Sequence, residues 1–556
     1  MSKISKYVKE QRKAETERPV ENFMGGISYE YDPIETLKMV TASSVFGEPQ
    51  YYRDGRFSRA GITDGVYNTH RLFSMYSVLP DKYNGMKTSE LMEMLIDEAL
   101  GYDFGAAIEW AAVLRNDFNM RLNPQIIMVR AAIHPKRKKF NEENPGVFSA
   151  LQKQVMKRAD EPVSQLEYYL FKHGSKKGIP GLLKRNWASR LEACSVYELH
   201  KYKNSGIGMI DTVRICHANS RSIDTLMTTG TVAAEDDDNT WEAKRAAGTP
   251  WRDILSSINM GHMALLRNLR GIFTETEDAD LCRNTMQKLK DGVLSGRQFP
   301  FRYFTAMKMI ERSDVHHKGM ILDTLEECMD ISCDNMPRLK GRTMCLSDNS
   351  GSAWGGLTSE YGSVTVAELD NLSSLITARN SDEGYIGKFG DDLIVRSVSK
   401  RNGLLAQCKE LSENEYDDVG GATENGIWIF FRDAIDKKEH WDNIFIYSDQ
   451  QAGHGGLYGT KKGMTEYKKR GFAADHFGRS YVDAAKLISE YRKKVNPDVN
   501  VFSVQTAGYN NVLVPEYGYR TNLLYGWTGR ELVFADQMIS FWDKKQADSC
   551  KAGYKN

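Results

Sequence analysis

The chain has 556 residues, 41% hydrophobic and 27% charged, with 74 Lys and Arg balancing 74 Asp and Glu. That length exceeds what one hydrophobic core serves, so two or more domains are expected. Zero net charge argues against a wholesale polyanion binder, and no run of about 18 apolar residues marks a membrane span.

The N-terminal segment M-S-K-I-S-K-Y-V-K-E-Q-R-K lacks the apolar core of a signal peptide, and residues 1 to about 20 read as a loose arm. The eight cysteines contain no C-x-x-C pair. They read as reduced, mostly buried thiols of a cytoplasmic protein, and zinc is not expected.

From Pro33 to about Arg338 the text is mostly helical. Thr88 to Tyr102 reads T-S-E-L-M-E-M-L-I-D-E-A-L-G-Y: Thr88 or Ser89 caps it, apolar residues recur at helical spacing, and Gly101 ends it. The pattern predicts further helices over Phe104–Arg115, Pro124–Ile133, Val163–Lys172, Gly181–Lys201, Asp211–Ala218, Thr249–Leu269, Asp278–Leu289 and Phe301–Ile310. Helices following one another through short polar joints, with almost no strand-like alternation, are the text of an α-solenoid or irregular helical array. No clean repeat period is visible, so any repeats are degenerate. Residues 235–239, E-D-D-D-N, read as an exposed acidic loop.

Charge is uneven within this region. Residues 121–220 hold 18 Lys and Arg against 8 Asp and Glu. A local cationic surface is what phosphate backbones require, although solvated helix faces give the same count. Lys184 and Arg185 stand in G-L-L-K-R-N-W, and Lys201 and Lys203 flank Tyr202. Arg214, His217 and Arg221 follow in T-V-R-I-C-H-A-N-S-R, at intervals of three and four that predict one shared helix face. Basic residues interleaved with an aromatic suit phosphate contacts plus base stacking on single-stranded RNA.

From Gly341 the style changes. Apolar runs at Thr343–Leu346, Ile394–Ser397, Asn443–Tyr447 and Asn500–Val504 alternate with helical stretches at Thr365–Ala378, Asn425–Ile435 and Val482–Lys494. This βαβ alternation predicts a mostly parallel sheet with helices on both faces. The first run ends in D-N-S-G-S, so Asp348, Ser350 and Ser352 place an acid and two hydroxyls at alternate positions after a buried strand. The Asn443–Tyr447 run ends at Ser448 and Asp449, and Gly420-Gly421-Ala422-Thr423 makes a glycine-bent loop between the two. Hard oxygens gathered outside the carboxyl ends of strands suit a divalent cation, Mg2+ first among them. Gly453–Arg479 is rich in glycine and lysine and reads as an insertion or mobile loop.

The set Asp348, Ser350, Ser352, Thr423 and Asp449 resembles the metal-ion-dependent adhesion site (MIDAS) of von Willebrand factor A domains. With R-I-C-H-A-N, then M-A-L-L-R-N-L at Met263–Leu269 and F-P-F-R-Y-F-T-A at Phe299–Ala306, the order of segments is similar to the TROVE family of Ro ribonucleoproteins. The likeness runs from about Glu21 to Gln546. It implies an α plus α/β chain: an N-terminal HEAT-like helical-repeat ring over 21–339, then a doubly wound, Rossmann-like von Willebrand A domain over 340–556. It also implies small structured noncoding (Y-like) RNA on an outer basic surface, and 3′ ends of misfolded RNA in the hole. His217 and Lys201–Lys203 match the family's RNA-contacting positions. Ala422 departs from the usual glycine–threonine order, which leaves Thr423 the least secure ligand, and Asn349 and Gly351 are unusual spacers.

The reading is therefore of a non-enzymatic, monomeric RNA-binding protein with a divalent cation, acting in RNA quality control, with an exoribonuclease as a candidate partner. Two other readings stay open. One is a metal-dependent protein-adhesion module on a helical scaffold. The other is a Mg2+-dependent phosphoryl-transfer enzyme built around Asp348, Asp449 and the nearby His454.

Overall fold

The protein is described by a computed structural model over residues 19–21, 27–29, 33–43, 88–118, 120–202, 208–229, 240–355, 364–421, 425–449, 457–458, 461–476, 479–506, 520–525 and 531–553. Lys203, Thr423, His454 and the acidic loop 235–239 lie outside these described residues, as does nearly all of the N-terminal arm. The chain divides into two compact units. One comprises Tyr31–Leu72 and Asp81–Met260, the other Met1–Glu30, Phe73–Pro80 and Gly261–Asn556.

A short antiparallel pair, β1 (Pro19–Glu21) and β2 (Ile27–Tyr29), comes first. The helical unit then runs through α1 (Pro33–Ser43), α2 (Thr88–Tyr102), α3 (Phe104–Asn116), α4 (Asn123–Ile133), α5 (Arg137–Glu143), α6 (Val147–Val155) and α7 (Asp160–His173). It continues through α8 (Gly181–Glu192), α9 (Val196–Lys201), α10 (Met209–Cys216), α11 (Arg221–Thr229), α12 (Trp241–Ala246) and α13 (Trp251–Ser257). Helices pack on neighbours close in sequence: α2 on α3, α3 on α4 and α6, α8 on α10, and α9 on α11. This is the local stacking expected of a helical array. The stretch read as one helix from Gly181 to Lys201 is two, because Ser195 starts a capping box with Glu198 and forces a new N-terminus there.

The second unit opens with five more helices: α14 (His262–Glu275), α15 (Ala279–Asp291), α16 (Val293–Gly296), α17 (Pro300–Glu311) and α18 (Lys318–Ser332). Ile258–Gly261 breaks the stretch read as a single helix over Thr249–Leu269. The main sheet begins at Leu339, where the change of style was expected. The packing nevertheless divides the chain at Met260/Gly261, because the last helices dock on the α/β body. Arg379 pairs with Asp330 at 2.8 Å, and Lys308 pairs with Glu368 at 3.1 Å.

That body comprises β3 (Leu339–Asp348), α19 (Gly351–Gly355), α20 (Val366–Arg379), β4 (Ser381–Phe389), β5 (Leu393–Ser397), α21 (Leu404–Ser412), α22 (Asn425–Asp436) and β6 (Asn443–Ser448). After β6 come β7 (Leu457–Tyr458), α23 (Lys461–Lys469), β8 (Ala473–His476) and β9 (Arg479–Val482), then α24 (Ala484–Lys494), β10 (Asn500–Gln505), β11 (Thr521–Tyr525) and α25 (Glu531–Gly553). The main sheet has the order β5-β4-β3-β6-β10-β11. All its neighbours are parallel except β4 and β5. Every residue of β6 is buried, as a parallel strand covered on both faces must be. β3 lies between β4 and β6, so the strand order reverses there, and the carboxyl ends of β3 and β6 flank the switch-point crevice. The segment read as an insertion or loop, Gly453–Arg479, contributes β7 and β8 and, with β9, forms a separate three-stranded antiparallel sheet.

Candidate metal centre and basic surface

Asp348 is the last residue of β3, and Asp449 follows the last residue of β6. Their side chains are 0% and 1% exposed. Ser350 is buried and Ser352 exposed, with their hydroxyl oxygens 3.2 Å apart. The turn is fixed from several directions. The Ser350 amide donates to Asp348 Oδ1 at 2.9 Å, and the Ser448 hydroxyl donates to Asp348 Oδ2 at 2.5 Å. The Asn349 amide donates to the Phe389 carbonyl at 2.8 Å, and the Gly351 amide to the Gly421 carbonyl at 2.9 Å. The glycine loop thus touches the acid–hydroxyl turn, and Gly420 adopts a φ of 82°, which favours glycine.

The unusual spacers have packing roles. Asn349 is buried and exchanges hydrogen bonds with Asn371 of α20: Asn349 Nδ2 to Asn371 Oδ1 at 2.8 Å, and Asn371 Nδ2 to Asn349 Oδ1 at 3.1 Å. Ser347 also donates to Asn371 Oδ1 at 2.8 Å. Gly351 leaves room for Gly421, whose carbonyl oxygen would lie 3.4 Å from an added Cβ.

Burial, and then the nearby charge of Asp449, raise the pKa of the Asp348 carboxyl. A divalent cation would relieve both effects, so the donor set of two carboxylates and hydroxyls fits a hard ion. Asp348, Ser350, Ser352 and Asp449 are gathered at adjacent strand ends. Thr423, the fifth expected ligand, lies outside the described residues. Sequence reasoning missed Ser448 and Asn371, which hold the turn, and also Asp370. Asp370 is 0% exposed on α20, and burial followed by the charge of Asp348 pushes its carboxyl well above the ordinary carboxylate range. Its signal was an acid set three residues after Ala367 and four before Ser374, on the buried side of the helix.

The cationic residues fall on packed helices of the other unit. Lys184 and Arg185 lie on α8, Lys201 ends α9, Arg214 lies on α10 and Arg221 starts α11. Arg185, Lys201, Arg214, His217 and Arg221 are exposed, and Lys184 is half-buried. Among the described residues, none of Lys184, Arg185, Arg214 and Arg221 pairs with a carboxylate, whereas Arg190 of α8 pairs with Glu198.

Two sequence expectations need correction here. Arg214, His217 and Arg221 do not share one helix. α10 stops at Cys216, His217 takes the left-handed conformation at φ 55°, and Ser220 accepts from the Ile223 amide at 3.3 Å to start α11. The turn between them is tied to α8 by the Asn219 amide, which donates to Glu192 at 2.9 Å. Nor is Tyr202 an open stacking platform, because the Arg158 guanidinium lies over its ring at 4.5 Å.

No protein-family model matches this sequence, and no curated protein does. The structure is similar to the crystal structure of the Ro (RSR) protein of Deinococcus radiodurans, with a TM-score of 0.58 and 14% identity. The match covers 84% of this chain and 98% of that one. The chain has the Ro fold.

A likeness covering nearly all of a Ro chain takes in the helical part and the α/β part together. It bears out the expected architecture of helical repeats followed by a doubly wound A-type domain. The Ro fold also accounts for the position of the acid–hydroxyl turn at the switch point of the sheet.

Proposed function

We propose that this protein binds RNA as a Ro-type, TROVE-family ribonucleoprotein component. The observation that carries the reading is the set of exposed cations Arg185, Arg214 and Arg221, which no carboxylate neutralises among the described residues. Such a surface attracts phosphates through counterion release. On this reading the basic surface holds a small structured noncoding RNA of the Y type, and single-stranded 3′ ends of misfolded RNAs enter the hole of the helical ring. The protein presents RNA in quality control, in the cytoplasm and as a monomer, with an exoribonuclease as a partner. It does no chemistry of its own.

Asp348, Ser350, Ser352 and Asp449, with Thr423, would hold Mg2+. The ion would supply one electrophilic position for an acidic group on a partner. The chain's own residues position that point: Ser448 and the Ser350 amide orient Asp348, while Asn371 holds the side chains of Ser347 and Asn349 on either side of it. The donor set at the strand ends is two carboxylates and two hydroxyls, and a site so rich in hydroxyls is poor at generating a base. This favours binding over catalysis.

The test is electrophoretic. A small structured RNA should shift with the purified chain, and Lys201→Ala with Arg214→Ala should weaken binding at least about tenfold, each contact being worth on the order of 1 kcal/mol. Unchanged affinity would remove this surface from the reading. Mg2+-dependent cleavage that Asp348→Ala abolishes would replace it with the enzymatic alternative.

A further inference from the structure

We infer that Asp370 is a third carboxylate of the cation centre, acting on the bound ion through water that the ion retains. The inference rests on the reading of Asp348, Ser350, Ser352 and Asp449 as a divalent-cation site.

Asp370 sits on α20, which is tied to the end of β3 through the adjacent Asn371. It is wholly buried, and neither carboxylate oxygen meets a hydrogen-bond donor. Its charge is felt together with those of Asp348 and Asp449, and the nearby Thr506 hydroxyl, which closes no hydrogen bond to it, offsets only part of the cost. Two more buried oxygens without a partner accompany it: Ser374 Oγ, one turn along the same helix face, and Thr506 Oγ1, after β10. The Thr506 amide is bonded to the Ser448 carbonyl at 3.0 Å, so this group also belongs to the crevice.

A buried polar group with no partner calls for a water or an ion. With Asp348 and Asp449, these unpartnered oxygens of α20 and of the end of β10 offer a donor set for a hydrated cation. Asp370 stands on α20 and not at the strand ends that carry Asp348 and Asp449, so it would reach the ion through a retained water. Mg2+ and Mn2+ keep such waters, whereas Ca2+ replaces them with protein oxygens. A carboxylate set behind the waters of an ion orients them and raises affinity, as outer partners of metal ligands do.

Calorimetric titration of the full chain with Mn2+ tests this, using the wild type, Asp370→Asn and Asp348→Asn. Asp370→Asn should bind Mn2+ about 10- to 100-fold more weakly. It should also melt no lower than the wild type when metal-free, since the change removes a buried charge. Asp348→Asn should abolish binding. Wild-type affinity in Asp370→Asn, beside lost binding in Asp348→Asn, overturns the inference and leaves the centre standing. A wild type that binds no Mn2+ overturns both. Should Asp370→Asn fail to fold, wild-type crystals grown with Mn2+ decide the matter. Water bonded to both the ion and Asp370 is expected, and an ion whose waters leave Asp370 untouched overturns the assignment.

Discussion

The strand-end centre and the cationic helices handle charge in opposite ways. At the end of β3 the acids are buried, and fixed amides and hydroxyls orient Asp348. On α8 to α11, Arg185, Arg214 and Arg221 are exposed and, among the described residues, no carboxylate pairs with them. Burial strengthens an interaction but demands one geometry, while exposure leaves it weak, additive and screened by salt. The first arrangement suits one small ion. The second suits a long, flexible polyanion.

The largest contrast should appear on changing salt. Between about 50 and 200 mM salt, RNA affinity should fall about 10³-fold or more if six or more phosphates are contacted. Mn2+ affinity, measured over the same range, should change far less. Equal salt dependence of the two would break the contrast.

Asn371→Ala should be next in size. It strands Ser347 and Asn349, both buried, so the unfolding free energy should drop by about 1–3 kcal/mol in denaturant titration. Mn2+ binding should weaken with it while RNA binding holds. Gly296→Ala should cost about as much by overpacking. An added Cβ would lie 2.5 Å from His262 Cδ2, and His262 is held by Tyr303 at 2.7 Å.

Arg214→Ala should leave the melting temperature nearly unchanged and lower the salt slope of RNA binding by about one counterion. The smallest effect concerns pH. Burial pulls the His262 imidazole below its ordinary value, so the folded protein binds fewer protons there than the unfolded chain. Stability should be complete above about pH 6.5 and decline as pH falls towards the folded value. His262→Gln should flatten that decline in melting curves taken across the range.

Much of the scaffold was legible in the residues because periodicity and burial agree there. Helix α2 begins and ends where its caps said, and β3, β6 and β10 lie on their apolar runs. β4 escaped notice because S-D-E-G-Y-I-G-K-F is polar and carries two glycines. Packing demands one of them: a Cβ on Gly384 would collide with the Ala378 carbonyl. Helix α5, R-K-K-F-N-E-E, has no apolar stripe to read. At the centre the acids and hydroxyls were visible in the strand-end motifs. Asp370 and Asn371 were hidden within a helix: the spacing set Asp370 on the buried side but gave no sign of what it faced. The supposed single face of Arg214, His217 and Arg221 failed because spacing alone cannot register a chain reversal at His217.

The guanidinium over Tyr202 has a consequence for how nucleotides are met there. Asp160 grips Arg158 at 2.9 and 2.8 Å, so the ring is roofed by a group already anchored to the protein. A nucleobase seeking that seat must evict a planar cation and gains only what the cation gives up. If RNA docks on this surface as proposed, contact at this point would be charge meeting phosphate, blind to the letter of the sequence.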